Sequence, residues 1–185
     1  LCYCIYKWEG IMKAMILENK QTSLAKKEEL FYRVVKGDFG SLALLATDCA
    51  LKGVAFMDKD NIVGKEYLQS HPILDVAEEQ LKAYMSGNLH TFSIPLDPEG
   101  TEFQKKVWKS MMEIPYGETR TYGEIATLIG SPKGARAVGM AANKNPIPII
   151  IPCHRIIGTS GKLVGYAGGL SLKERLLQLE FKNKI

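Results

Sequence analysis

One segment restricts the fold more than any other. From Asn145 to Gly158 the chain reads Asn-Pro-Ile-Pro-Ile-Ile-Ile-Pro-Cys-His-Arg-Ile-Ile-Gly. Each proline fixes φ and removes an amide donor, and the β-branched residues between them disfavour helix. The expectation is an extended, stiff backbone. It carries Cys153 and His154 as neighbours. A thiolate is the reactive form of cysteine, and nearby basic groups such as His154 and Arg155 favour it. In an extended chain, however, adjacent side chains point to opposite faces. Cys153 and His154 can therefore cooperate only through a bend or a bridging water. A buried structural cysteine beside a surface histidine gives the same dipeptide.

The residues before this segment alternate helix starts and stops. Thr101-Glu102-Phe103-Gln104 fits a capping box, followed by Phe103, Val107, Met111 and Ile114 at helical spacing and a stop at Pro115-Tyr116-Gly117. Thr121-Tyr122-Gly123-Glu124 is a second capping box, with Ile125, Leu128 and Ile129 inside and Gly130 as stop. Ser131-Pro132 then reads as an N-cap with proline at the first helical position, opening a helix from Lys133 to about Asn143. Two helices so closely joined predict a helix-turn-helix. On the second, Gly134, Ala135, Val138, Ala141 and Ala142 share a small apolar face. Lys133, Arg136, Met140, Asn143 and Lys144 share the opposite, cationic one. A solvated surface helix and a nucleic-acid recognition helix both fit that pattern. Beyond the proline segment come a glycine-rich loop from Gly161 to Gly169 containing Tyr166, then a helix with a third capping box, Ser171-Leu172-Lys173-Glu174.

The first half has a different texture. Residues 1–30 read as an extension. Phe31–Val35, Ser41–Ala46 and Gly53–Met57 are short β-rich runs separated by turn residues. A helix is expected over Ile73–Met85, with Val76, Gln80 and Tyr84 on one face and Leu74, Ala77 and Leu81 on another. Phe92–Leu96 could add a closing strand. Nothing in this half resembles a catalytic constellation.

Charge separates the halves too. The 185-residue chain has a net charge of +4, but residues 1–100 carry 11 Lys/Arg against 14 Asp/Glu, and residues 101–185 carry 13 against 6. A basic second half suits a polyanionic partner. Cys2, Cys4, Cys49 and Cys153 are scattered without zinc-ligand spacing, which predicts neither a structural zinc site nor a disulfide scaffold and suits a reducing compartment. No uncharged apolar run is long enough for a membrane helix, and Lys7, Trp8 and Glu9 break the first eleven residues, so no secretory signal is expected.

On the final helix Leu172, Leu176 and Leu179 form an apolar stripe, with Glu180 at its border. A carboxylate there needs a partner. His154 would be suitable, because the carboxylate would fix its tautomer; Lys173 or Arg175 would serve equally as surface partners.

From Gly100 to Glu180 the chain resembles the O6-alkylguanine-DNA alkyltransferases, the methylated-DNA–protein-cysteine methyltransferase family. Six motifs in order carry the resemblance: Thr121-Tyr122-Gly123, Ala135-Arg136-Ala137-Val138-Gly139, Asn145-Pro146, Ile151-Pro152-Cys153-His154-Arg155-Ile156, Gly165-Tyr166 with Gly168-Gly169, and Lys173 through Leu176-Leu177 to Glu180. The implied fold is α+β, a small ribonuclease-like antiparallel-sheet domain (31–99) before a mainly helical, winged-helix-like domain (100–185) with the helix-turn-helix.

The resemblance also implies roles. Cys153 would take the alkyl group from O6-alkylguanine in an SN2 displacement, deprotonated through water and His154 with Glu180 behind. The protein would be consumed in one turnover. Tyr122 would help rotate the nucleotide out of the duplex and donate to the guanine, and Asn145 would brace the turn at the site. Arg136 would enter the base stack, with Ala135, Ala137 and Gly139 allowing close approach in the minor groove. Backbone groups at Cys153, Ile156 and Ala167 would read the base, and Tyr166 would wall the pocket. Ala167 stands where some relatives have a hydroxyl. No cofactor or metal is implied. The partner would be double-stranded DNA bearing O6-alkylguanine or O4-alkylthymine, and the protein a cytoplasmic monomer, nuclear in a eukaryote. From the residues alone, a helix-turn-helix lesion-binding protein without chemistry and a Cys-His-Glu thiol hydrolase are the alternatives.

Overall fold

The computed structural model describes residues 29–37, 39–57 and 70–184. Cys2, Cys4, the expected extension up to residue 28 and the Asp58–Asn61 turn lie outside them.

Three strands form an antiparallel meander in the order β1-β2-β3: β1 (Phe31–Gly37), β2 (Gly40–Ala46) and β3 (Leu51–Met57). Gly37 pairs with Gly40, whose φ of 100° is open to glycine and strained for other residues. Helix α1 (Pro72–Met85) covers the sheet, burying Leu74, Ala77, Leu81, Tyr84 and Met85. Of the expected Val76–Gln80–Tyr84 face only Tyr84 is inside; Val76 is exposed. Arg33 of β1 ties sheet to helix through Asp75 at 2.7 Å and Glu78 at 3.0 Å. The expected strand at Phe92–Leu96 reduces to one bridge between Leu51 and Leu96. Pro95 has no N–H to extend a ladder, although its carbonyl accepts from Leu51 N.

The second half follows its capping chemistry closely at two of four starts. Helix α2 (Glu102–Met112) opens on the Thr101–Gln104 capping box, and α3 (Tyr122–Leu128) on the Thr121–Glu124 box, both with reciprocal bonds formed. Helix α4 (Ala135–Asn143) departs from expectation. Ser131 is not its cap; residues 131–134 close a separate turn, with Gly134 N bonded to Ser131 O, and Gly134 takes the cap position. The last helix, α5 (Leu170–Lys182), starts before the Ser171 box on Gly169, whose φ is 84°. Gly169 is needed for its positive φ, whereas Gly134 is needed for space: a Cβ there would lie 2.6 Å from Ser131 Oγ.

A two-residue parallel pair, β4 (Arg120–Thr121) with β5 (Ile156–Ile157), joins the entrance of α3 to the chain just beyond Cys153. The indole of Trp108 donates to Ala141 O at 2.9 Å, clamping α2 to α4. One apolar core runs through both halves, from Val35 and Leu44 in the sheet to Val138, Ile151 and Leu176. Val54 N of β3 reaches Pro146 O at 2.9 Å, so the sheet edge supports the proline segment directly. No helix among the described residues is long and apolar enough to cross a membrane.

Candidate active site

The proline segment is not extended. Ile151 N bonds back to Ile147 O, Pro148 and Ile151 form an isolated bridge, and Ile149 sits at φ 74° with its side chain fully buried. A β-branched residue in the left-handed region is strained; burial of its side chain and the closed turn hold it there. The chain then enters a 3-10 turn over Cys153–Arg155. This bend replaces the alternation of a strand, so Cys153 and His154 both lie inside the protein.

Asn145 builds the turn. Its Nδ2 donates to Ile151 O at 2.7 Å and to Cys153 Sγ at 3.2 Å, while its Oδ1 accepts from Ile147 N at 3.0 Å. A donor aimed at sulfur favours the thiolate over the thiol.

Glu180 is the hub of the charged groups beneath. Its Oε1 lies 2.7 Å from His154 Nε2 and accepts from Tyr84 OH at 2.6 Å. Arg155 donates from Nε to Oε2 at 2.9 Å and from Nη2 to Oε1 at 2.9 Å, and Gly117 N adds a bond to Oε2 at 3.0 Å. Burial alone would raise this carboxyl's pKa, but the hydrogen bonds from His154 and Arg155, the Arg155 charge and, in acid, the protonated His154 ring outweigh it and hold it at about 2. With Oε1 an ionised acceptor, His154 carries its proton on Nε2. Its Nδ1 is buried with no protein hydrogen-bond partner. Burial lowers the imidazole's pKa from 6.5 against the pull of Glu180, so the ring rests neutral.

The fully buried line of α5 is therefore not the expected stripe. Leu172 and Leu179 are half-buried, and Lys173, Leu176 and Glu180 point inward. Both ends of that line are charged because both find partners. Lys173 Nζ donates to Ile156 O at 2.5 Å and to Val164 O at 2.9 Å, pinning the loop of Tyr166 and Ala167 to β5. Neither Lys173 nor Arg175 pairs with Glu180 in the observed ion pairs; His154 and Arg155 do.

Tyr122, at the start of α3, donates to the same Val164 carbonyl at 3.3 Å. Its phenol pKa is raised by burial and then by the negative charge of Cys153, so it stays a proton donor. The ring of Gly139's neighbour is this same tyrosine: a Cβ on Gly139 would lie 3.6 Å from Tyr122 Cε1, an ordinary contact. Tyr166 is buried with its ring edge-on to His154 at 6.4 Å. The structure thus gathers Cys153, Asn145, His154, Glu180, Tyr122 and Tyr166. Arg136 is exposed on the outer face of α4 with Met140, while Ala135, Ala137 and Gly139 are half-buried on it.

Three functional neighbours escaped the sequence reading: Tyr84, Arg155 as the partner of Glu180, and Lys173. A cation inside an isoleucine-rich segment signals a buried counter-charge, which makes Arg155 the one that could have been found. Among the described residues no group of three or more His, Cys, Asp or Glu could hold a metal ion.

Known proteins resemble this chain in both sequence and fold. Residues 102–182 match the family described as 6-O-methylguanine DNA methyltransferase, DNA binding domain. The methylated-DNA–protein-cysteine methyltransferase of Methanosarcina acetivorans is 51% identical over 153 residues, 82% of this chain and 98% of that protein. The protein of the same name from Mycobacterium bovis is 45% identical over 152 residues, 82% of this chain and 92% of that one. A crystal structure of Mycobacterium tuberculosis OGT in complex with DNA superposes with a TM-score of 0.75 at 44% identity, covering 83% of this chain and 94% of that one. Relatives this similar, matched over nearly their whole length, place the chain in the methylated-DNA–protein-cysteine methyltransferase family.

Proposed function

We propose that this protein repairs alkylated DNA by direct reversal, moving the alkyl group of O6-alkylguanine onto Cys153 once per molecule. The observation that carries the reading is the buried chain of groups behind Cys153: Asn145 on the sulfur, and His154 held by Glu180 with Nδ1 left as its free basic nitrogen. The helix-turn-helix formed by α3 and α4 binds the duplex, with exposed Arg136 entering the base stack where the damaged nucleotide has left. Flipping that nucleotide costs a few kcal/mol of stacking and pairing.

The thiol proton passes to His154 Nδ1, directly or through a water, and Glu180 stabilises the imidazolium. The sulfur lone pair forms the S–C bond as the C–O6 bond breaks, and its electrons move into the guanine ring. Tyr122, kept protonated, donates to the departing base as that charge develops. The Ile156 carbonyl, with one lone pair on Lys173, has the other for a base edge, beside backbone groups of Cys153 and Ala167. Tyr166 closes the pocket. The product is a thioether with no leaving route, so the protein is spent. It acts as a cytoplasmic monomer on double-stranded DNA, and needs no cofactor.

Intact mass after incubation with duplex DNA containing O6-methylguanine tests this. One methyl group per protein, located on Cys153, is the expected result. Multiple turnovers, or lesion binding that survives Cys153→Ala while the wild type transfers nothing, would overturn it.

A further inference from the structure

The N-terminal half contributes a polar atom to the site, and nothing in the sequence marked it. Tyr84, near the end of α1, reaches across to Glu180 Oε1 at 2.6 Å and lies 3.3 Å from His154 Nε2. Its ring is fixed by Phe92 and Tyr116, with centroids at 5.4 and 6.0 Å. That Oε1 is crowded: besides Tyr84 and His154 Nε2, Arg155 approaches it with Nη2 at 2.9 Å and Nε at 3.1 Å. A carboxylate oxygen has two lone pairs, so four donors share it and each weakens the others.

We infer that Tyr84 is a positioning residue for alkyl transfer, whose hydroxyl holds Glu180 and limits how strongly that carboxylate can pull on His154. The inference rests on the proposed role of His154 as the base for Cys153. Burial and the Glu180 charge raise the Tyr84 phenol well above its ordinary pKa, so it remains a donor. The other groups facing this pair are fixed in either case: Arg155 on the carboxylate, Lys173 on its two carbonyls, and the phenols of Tyr116 and Tyr166 nearby. Tyr84 is the one donor that a single atom's removal deletes without disturbing charge.

The test compares the wild type, Tyr84→Phe and Phe92→Leu in single-turnover alkyl transfer across pH, alongside thermal unfolding and affinity for lesion-bearing duplex DNA. Tyr84→Phe keeps the ring and frees acceptor capacity for His154. Its acid limb is expected to move to higher pH by on the order of one unit, the size of one hydrogen bond to a charged group. The rate constant at neutral pH is expected to fall, with DNA affinity unchanged. Phe92→Leu loosens the same ring but leaves the hydroxyl; its unfolding temperature falls and its acid limb stays in place. An acid limb that is unmoved in Tyr84→Phe, or that moves equally in Phe92→Leu, overturns the inference. A wild type that transfers no alkyl group overturns instead the reading on which it rests.

Discussion

His154 Nε2 lies 2.7 Å from Oε1 of Glu180, twenty-six positions later in the chain, and neither side chain has any exposed surface. The contact links the acid–base properties of the site to the stability of the fold. Glu180 is held at about 2, below its ordinary 4.5, and His154 is lowered from 6.5. A group whose pKa falls on folding contributes stability above its unfolded value and loses it as pH drops. Both groups therefore act in the same direction, His154 beginning as pH falls below 6.5 and Glu180 below 4.5. The Glu180 part amounts to about 3 kcal/mol. Urea midpoints measured from about pH 8 to pH 3 should decline in that order. Glu180→Gln should remove the lower part of the decline; a flat profile in the wild type contradicts the linkage.

Asn145 makes three bonds inside one turn, to Ile151, Ile147 and the Cys153 sulfur. Asn145→Ala leaves the buried Ile147 amide without an acceptor, strips the donor from the Cys153 sulfur, and leaves the Ile151 carbonyl with Cys153 N alone. It should cost about 2 kcal/mol or more in denaturant unfolding and slow alkyl transfer in the molecules that remain folded. Wild-type stability in this variant would show that the turn is held by the prolines alone.

Lys173→Met keeps the length of the side chain and removes its ammonium. The carbonyls of Ile156 and Val164 lose their buried donor, at a cost of about 2–4 kcal/mol. The loop carrying Tyr166 should exchange its amide hydrogens faster. Stability within about 0.5 kcal/mol of wild type would mark Lys173 as dispensable to the loop.

Arg136 is exposed on α4. Arg136→Ala should leave thermal unfolding within about 0.5 kcal/mol of the wild type. Repair of duplex DNA should fall far more than reaction with free O6-benzylguanine, because only the duplex has a base stack to enter. Equal losses on both substrates would remove Arg136 from the DNA contact. In the same assays duplex affinity should fall steeply with salt, as expected where phosphates meet the basic half of the chain.

Local chemistry was legible in this sequence. The Thr101 and Thr121 capping boxes, the turn glycines, the small and cationic faces of α4, and Cys153 beside His154 each depend on residues within a few positions of one another. The helix starts differ from expectation at Ser131 and Ser171, where Gly134, three residues later, and Gly169, two residues earlier, take the cap positions. The prolines by themselves predict extension. They instead stiffen a closed turn, since proline fixes φ but not the ψ that decides where the chain goes next.

What the tertiary structure decided is which polar groups could afford burial. Glu180 and Lys173 look like the rim of an apolar helix face until Arg155, His154 and two carbonyls are brought to them. Tyr84 looks like any core tyrosine until its hydroxyl meets a carboxylate ninety-six positions away. Desolvation makes each of these groups costly alone and tolerable together. The sequence by itself determined the capping boxes, the basic second half and the Cys153-His154 pair, because each depends on near neighbours; the buried environment of that pair exists only where the chain closes on itself.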